Sequence, residues 1–125
     1  MIALPSRDAL VGRRVLVVED EALIALMLED FLTQAGAIVI GLAASVAQAL
    51  KLIEGEQVDV AVLDYAIADG VSVPVAEALI ARSVPFLFAS GHTSPVTTPT
   101  VPAVPRIEKP YAQVLRMLAD LVQSR

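Results

Sequence analysis

The chain contains no cysteine among its 125 residues, which excludes disulfides, thiolate metal sites and cysteine nucleophiles. Basic residues are also few: nine lysines and arginines stand against fourteen acids, a formal net charge of −5. Nucleic-acid phosphates and anionic lipids repel such a chain, so we expect no direct nucleic-acid or membrane partner. No apolar run approaches the ~20 residues that span a bilayer, and no apolar signal segment opens the sequence. We therefore expect a cytoplasmic protein.

The sequence contains enough apolar side chains to form one hydrophobic core, since 56% of its residues are hydrophobic. We expect a single domain over residues 1–125, with its core between about 14 and 121. Apolar segments of strand length alternate with segments of helical periodicity. The predicted strands are 14–18, 37–41, 58–63, 85–89 and 104–108. The predicted helices are 21–35, 45–54, 73–83 and 110–121.

Two of the predicted helices carry recognisable end signals. Gly36 should stop the first helix, and Ser45 with Gln48 has the form of a capping box at the start of the second. In the first helix, apolar residues at helical spacing predict a buried face: Leu23, Ile24, Met27, Leu28, Phe31 and Leu32. Four prolines exclude a regular helix from 92–105, so the fourth crossover should be irregular, with at most one helical turn.

Strands alternating with helices, with mostly apolar strands, predict an α/β fold. The sheet should be five-stranded, parallel and doubly wound, with helices on both faces. In such sheets, ligands lie beyond the carboxyl ends of the strands. Those ends are chemically distinctive here. The residues at the predicted strand ends are Glu19, Asp20, Asp64, Ser90, Glu108 and Lys109.

Carboxylates gathered at one sheet edge repel each other and should require a cation. Mg²⁺ is the natural choice because it prefers oxygen ligands and is often held by one or two carboxylates together with a phosphate; Mn²⁺ is a possible substitute. Asp64 terminates the central strand and is the sensible nucleophile for a phosphoryl group. Ser90 and Lys109 could then contact the phosphoryl oxygens.

This ordered set resembles the response-regulator receiver family, which implies a flavodoxin-like fold with strand order 2-1-3-4-5. The resemblance implies that Glu19, Asp20, Asp64 and the Ala66 carbonyl bind Mg²⁺. It implies further that Asp64 is phosphorylated while Ser90 and Lys109 read the phosphoryl group. The segment Phe88-Ala-Ser-Gly91 is similar to a subgroup of stand-alone bacterial receivers with Phe-Ala-Thr-Gly there and a shortened or missing fourth helix. The Lys109-Pro110 bond is often cis in the family.

The sequence also departs from the family pattern. Arg106 stands three positions before the lysine, where many receivers have an aromatic switch residue, and Ala68 replaces a common proline. By family analogy, the residues two beyond the acceptor and two beyond the hydroxyl, Ala66 and His92, influence the lifetime of the phosphoryl group. His92 and Arg106 are therefore possible modulators of the switch.

Other interpretations remain open from the sequence. Glu19 and Asp20 could simply cap the first helix, and Asp69-Gly70 could be a plain turn before the third. The preferred function is a phosphorylation switch of a two-component phosphorelay. It would accept its phosphoryl group from a histidine kinase or a phosphotransfer protein, and phosphorylation would change its binding to a downstream protein. The alternatives are a phosphorylation-independent scaffold and a dehalogenase-like phosphohydrolase. The phosphohydrolase needs a second acid where Ala66 stands, so we expect no enzyme beyond self-phosphorylation and slow self-dephosphorylation.

Overall fold

A computed structural model describes residues 9–64, 66–67, 70–90, 106–108 and 114–123. Seven strands and four helices lie in these ranges. The strands are β1 (Arg14–Val18), β2 (Ile38–Ala43), β3 (Val60–Leu63), β4 (Ala66–Ile67), β5 (Gly70–Val71), β6 (Phe86–Ser90) and β7 (Arg106–Glu108). The helices are α1 (Ala22–Gln34), α2 (Val46–Gly55), α3 (Val73–Ala81) and α4 (Val114–Gln123).

Five strands form one parallel sheet in the order β2-β1-β3-β6-β7, which confirms the predicted doubly wound topology. The strands β4 and β5 form a separate antiparallel pair that the sequence analysis did not predict. The predicted irregular segment 92–105, with the predicted shortening of the fourth helix, lies outside the described residues.

Alternate residues of the central strands face opposite sides of the sheet, as strand geometry requires. Val15, Val17, Val60 and Val62 belong to a core cluster that includes residues of α1 and α4. Leu16, Val18, Ala61 and Leu63 belong to a second cluster with residues of α2 and α3. The central strands are therefore buried on both faces, which explains why they are continuously apolar rather than alternating.

The helix ends follow local hydrogen-bonding rules. After α1, the Gly36 amide donates to the Thr33 carbonyl and the Ala37 amide to the Leu32 carbonyl, both at 3.0 Å. Gly36 has φ of +88°, so these bonds form a Schellman motif with glycine in the left-handed position. Because Ala37 closes the helix, β2 begins one residue later than predicted.

The third helix ends in the same way without a glycine. Ser83 has φ of +57°, its amide donates to the Ile80 carbonyl, and the Val84 amide donates to the Leu79 carbonyl. This second Schellman motif ends α3 at Ala81. The prediction that the helix runs through residue 83 was therefore too long.

The predicted cap of α2 is confirmed. The Gln48 amide donates to Ser45 Oγ at 3.1 Å, and the Ala44 amide donates to Gln48 Oε1 at 2.9 Å. The glutamine side chain thus reaches one residue further back than in a standard capping box. In the described ranges, no helix has the length and apolar character needed to cross a membrane.

Candidate functional site

The site lies at the carboxyl edge of the parallel sheet. In the register of the sheet, Val18 of β1 pairs with Leu63 of β3. The residues that follow these strands, Glu19 and Asp64, therefore leave the sheet side by side. Their backbones are fixed by strand-like hydrogen bonds: the Asp64 amide donates to the Val18 carbonyl at 2.8 Å, and the Glu19 amide to the Ala43 carbonyl at 2.9 Å.

Three carboxylates meet at this edge. Glu19, Asp20 and Asp64 each offer one oxygen, and these oxygens all lie within 4.8 Å of one another. The side chains of Glu19 and Asp64 are buried, with exposed fractions of 3% and 9%, whereas Asp20 is exposed. The group therefore has two carboxylates held inside the fold and one at the surface, open to solvent.

The start of α1 argues against the interpretation that the acid pair caps this helix. The N-cap residue is Glu21, its side chain makes no cap hydrogen bond, and the first turn contains no acidic residue. The carboxylate of Glu19 accepts from the Glu21 amide at 3.3 Å, a weak contact with the N-cap residue itself. Helix capping thus leaves the clustering of three acids unexplained.

The donor set fits a hard divalent cation. Clustered carboxylates raise the free energy of the fold through mutual repulsion, which a bound cation relieves. Mg²⁺ prefers oxygen ligands, and three carboxylate oxygens at this spacing can be drawn onto one ion that keeps several waters. The residues present therefore suit Mg²⁺, and the exposed Asp20 gives such an ion access to solvent.

The remaining predicted site residues belong to the other half of the sheet edge. Ser90 ends β6, and its backbone pairs with Glu108 at the end of β7. Because β6 also pairs with β3, Ser90 lies at the same sheet edge as Asp64. Only the backbone of Ser90 and Arg106 is described. Lys109, Pro110 and His92 lie outside the described residues, as does the predicted cis bond.

The hairpin of β4 and β5 begins two residues after Asp64 and was not predicted from the sequence. Ala66 pairs with Val71, and Ile67 pairs with Gly70. In a hairpin with a two-residue loop, the pair next to the loop exchanges the ladder hydrogen bonds, and the following pair does not. The Ala66 carbonyl, the predicted further metal ligand, therefore points away from β5. Residues 68–69 lie outside the described residues, so the predicted Asp69-Gly70 turn is only half described.

Gly70 gives the hairpin its shape, and its substitution is our first prediction. Its φ of +135° is a conformation that residues with a Cβ adopt only under strain, although open space surrounds the position. We expect Gly70→Ala to destabilise the fold by about 1–2 kcal/mol. Because the hairpin carries Ala66, Mg²⁺ affinity should fall several-fold as well. Urea unfolding and a calorimetric Mg²⁺ titration measure the two effects.

Gly55→Ala is the matched control, since Gly55 ends α2 with open space around it and without a positive φ. It should leave Mg²⁺ affinity unchanged and, unlike Gly70→Ala, should raise the free energy of unfolding, by up to about 1 kcal/mol. Equal Mg²⁺ affinity in Gly70→Ala and the native chain would contradict the role given to the hairpin.

The fold and site define a doubly wound α/β domain with a carboxylate cluster at the carboxyl edge of its sheet. The family model of the response regulator receiver domain matches residues 15–113. The chain therefore belongs to the response regulator receiver domain family, a family of two-component signalling. No curated protein gives a significant match.

Solved structures of receiver proteins resemble the chain closely. SdrG from Sphingomonas melonis Fr1 is 38% identical, with a TM-score of 0.75 over 92% of this chain and 98% of SdrG. A BeF₃-activated conformation of SdrG from Pseudomonas melonis Fr1 is 39% identical, with a TM-score of 0.70 over 90% and 98%. The receiver domain of Erythrobacter litoralis PhyR is 25% identical, with a TM-score of 0.79 over 93% of each chain.

Proposed function

We propose that this receiver is a phosphorylation-dependent signalling switch whose acceptor is Asp64. The observation that carries the proposal is the position of Asp64, which follows the central strand of the sheet within 4.8 Å of two further carboxylates. A carboxylate in this position can act as a nucleophile once nearby positive charge balances the incoming phosphoryl group. Membership of the receiver family supports the same assignment.

The phosphoryl donor is a histidine kinase or a histidine phosphotransfer protein. A carboxylate oxygen of Asp64 attacks the phosphorus in line, the new P–O bond forms, and the P–N bond of the phosphohistidine breaks with its electron pair returning to the imidazole. Glu19, Asp20, Asp64 and the Ala66 carbonyl hold Mg²⁺ or Mn²⁺, which supplies charge neutralisation for the transferring group. Ser90 donates a hydrogen bond to a phosphoryl oxygen, and Lys109 pairs with another.

Phosphorylation adds about −1.5 to −2 charge at the sheet edge and draws Ser90 and Lys109 toward Asp64. The surface around β6 and β7 is then the part of the domain that changes and that a downstream protein target reads. His92 modulates the lifetime of this state, and Arg106, at the position of the aromatic switch residue, modulates the switch itself. We assign the whole function to one cytoplasmic receiver domain, whose core spans about 14–121 and which has no metabolic enzyme activity.

The test uses beryllofluoride, a phosphoryl mimic, with backbone amide NMR spectra as the measurement. The BeF₃-activated form of SdrG makes this a natural probe. With Mg²⁺ present, beryllofluoride should shift amide signals near Asp64 and along β6 and β7, and omission of Mg²⁺ should prevent the shifts. Unchanged spectra in the complete mixture would contradict the proposal and favour a phosphorylation-independent interaction scaffold.

The first turns of α1 suggest where the phosphoryl donor contacts the domain. Leu23, three residues after Asp20, is 83% exposed, and Leu26 is 53% exposed. Leu23 was predicted to lie on the buried face of the helix, and that prediction is wrong. Two exposed leucines beside the acidic cluster form an apolar contact for a protein that must bring its phosphohistidine to Asp64.

We therefore predict that the double substitution Leu23→Ser and Leu26→Ser slows transfer from the cognate phosphotransfer protein by roughly tenfold, the effect of losing about 1.4 kcal/mol of contact energy. Phosphorylation by acetyl phosphate, which needs no protein contact, should be unchanged. Ile80→Ser, at an exposed apolar position on α3, is the control and should affect neither rate. Equal slowing of both reactions would indicate damage to the site rather than to docking.

A further inference from the structure

Ser72, the residue before α3, holds a hydroxyl inside the fold without bonding it. The residue is fully buried. In the described part of the chain, its Oγ is the only buried side-chain polar atom without a hydrogen-bond partner. Buried hydroxyls nearly always have a partner, because burial removes the bonds that they make to water. The unpaired hydroxyl of Ser72 therefore requires an explanation.

The position of Ser72 is one where serine normally caps a helix. Ser45 does so for α2: its backbone is extended, with ψ of 161°, and its Oγ accepts from the Gln48 amide. Ser72 is the N-cap residue of α3, and its carbonyl accepts the first helical bond from the Ala76 amide. Its ψ is only 11°, however, and its side chain makes no cap bond. The two helices thus begin with the same residue type, one capped and one uncapped.

The first turn of α3 determines which amide Ser72 can cap. An N-cap side chain bonds the amide of the second or third helical residue. The second helical residue is Pro74, which has no N–H, so the Val75 amide is the single candidate. Val75 is fully buried as well. Rotation of the Ser72 backbone to the extended conformation would therefore join two groups that are both withheld from water.

The β4–β5 hairpin connects Ser72 to the proposed metal site. Val71, its neighbour in the chain, pairs with Ala66, whose carbonyl is the proposed further Mg²⁺ ligand. Ile67 is buried and belongs to the core cluster that includes Val75. A displacement of Ala66 on metal binding is therefore transmitted through one strand pair to Ser72, while Ile67 keeps the hairpin attached to the core.

We propose that Ser72 is a positioning residue for the metal site, which caps α3 when the hairpin holds Ala66 on bound Mg²⁺ and is uncapped when it does not. This assignment rests on the proposed function, which makes Mg²⁺ the ligand of the site. The unpaired hydroxyl raises the free energy of the uncapped state, and a bond to the Val75 amide lowers that of the capped state. Both effects favour the state that binds Mg²⁺.

The experiment compares Ser72→Ala with the native chain by calorimetric Mg²⁺ titration and by urea unfolding in chelator. The variant should bind Mg²⁺ about fivefold more weakly, because the capped state loses its bond. Its urea midpoint in chelator should equal or exceed the native value, because the uncapped state loses an unpaired buried hydroxyl. A serine that merely fills space would leave Mg²⁺ affinity at the native value.

Ser45→Ala is the matched control, because Ser45 is a serine that already caps its helix. It should show the opposite pattern, with a lower urea midpoint in chelator and native Mg²⁺ affinity. Native Mg²⁺ affinity in Ser72→Ala would overturn the proposal. Equal weakening of Mg²⁺ binding in both variants, or a lowered midpoint of Ser72→Ala in chelator, would do the same.

Hydrogen exchange of the native chain tests the cap bond itself and depends on no variant. Added Mg²⁺ should slow exchange of the Val75 amide relative to the Gln48 amide, which Ser45 caps with or without the metal. Unchanged relative exchange in a chain that binds Mg²⁺ would overturn the assignment of Ser72 alone. Failure of the native chain to bind Mg²⁺ would overturn it together with the proposed function.

Discussion

Asp64→Asn is expected to abolish Mg²⁺-dependent phosphorylation by acetyl phosphate. The substitution keeps the size of the side chain but removes the anionic oxygen that attacks phosphorus, and no other carboxylate at the sheet edge follows the central strand. The native chain should gain one phosphoryl group by intact mass. The variant should show none above the magnesium-free background.

The fold should survive this change, since Asp64 follows β3 and the Asp64 amide keeps its bond to the Val18 carbonyl. Asp120→Asn, at an exposed position of α4, is a control that should be phosphorylated like the native chain. Native levels of phosphoryl incorporation in Asp64→Asn would mean that another residue is the acceptor.

Asp20→Asn is expected to have two opposite effects. It should weaken Mg²⁺ binding by at least about tenfold, because a charged ligand becomes a neutral one. Without Mg²⁺ it should stabilise the fold. Two carboxylate charges no more than 4.8 Å apart repel by at least about 3.5 kcal/mol at an effective dielectric of about 20. Solvent screening at the exposed Asp20 reduces the gain to about 1 kcal/mol.

Urea unfolding with and without Mg²⁺ separates these effects. Asp20→Asn should be more stable than the native chain in chelator and should gain less from added Mg²⁺. Asp30→Asn, at an exposed α1 position outside the cluster, should change neither result. Lower stability of Asp20→Asn in chelator would show that the three acids do not repel one another in the metal-free protein.

The topology could be predicted because the signals for it are local. Runs such as 14–18 and 58–63 are apolar throughout, which indicates strands covered on both faces, and Gly36 and Ser45 mark helix ends through rules that depend on a few neighbouring residues. Once strands and helices alternate, the strand ends must share one edge, so the meeting of Glu19, Asp20 and Asp64 could also be predicted.

Other features depend on information that periodicity does not contain. Leu23 has the spacing of a core residue, but it lies in the first turn of α1 and is exposed. Ser83 ends α3 in a left-handed conformation that usually signals glycine, so the sequence carries no clear stop. The β4–β5 pair is only two residues long on each side, too short for an alternation pattern, and Gly70 beside Asp69 was its single signal.

The most direct test of the central claim is to locate the phosphoryl group on the native chain. The protein is treated with acetyl phosphate and Mg²⁺, the acyl phosphate is reduced with borohydride, and peptide mass spectrometry finds the modified residue. The receiver mechanism predicts one modification, at Asp64, which disappears when Mg²⁺ is chelated. Modification at a different residue, or none at all under conditions where the folded domain binds Mg²⁺, would contradict it.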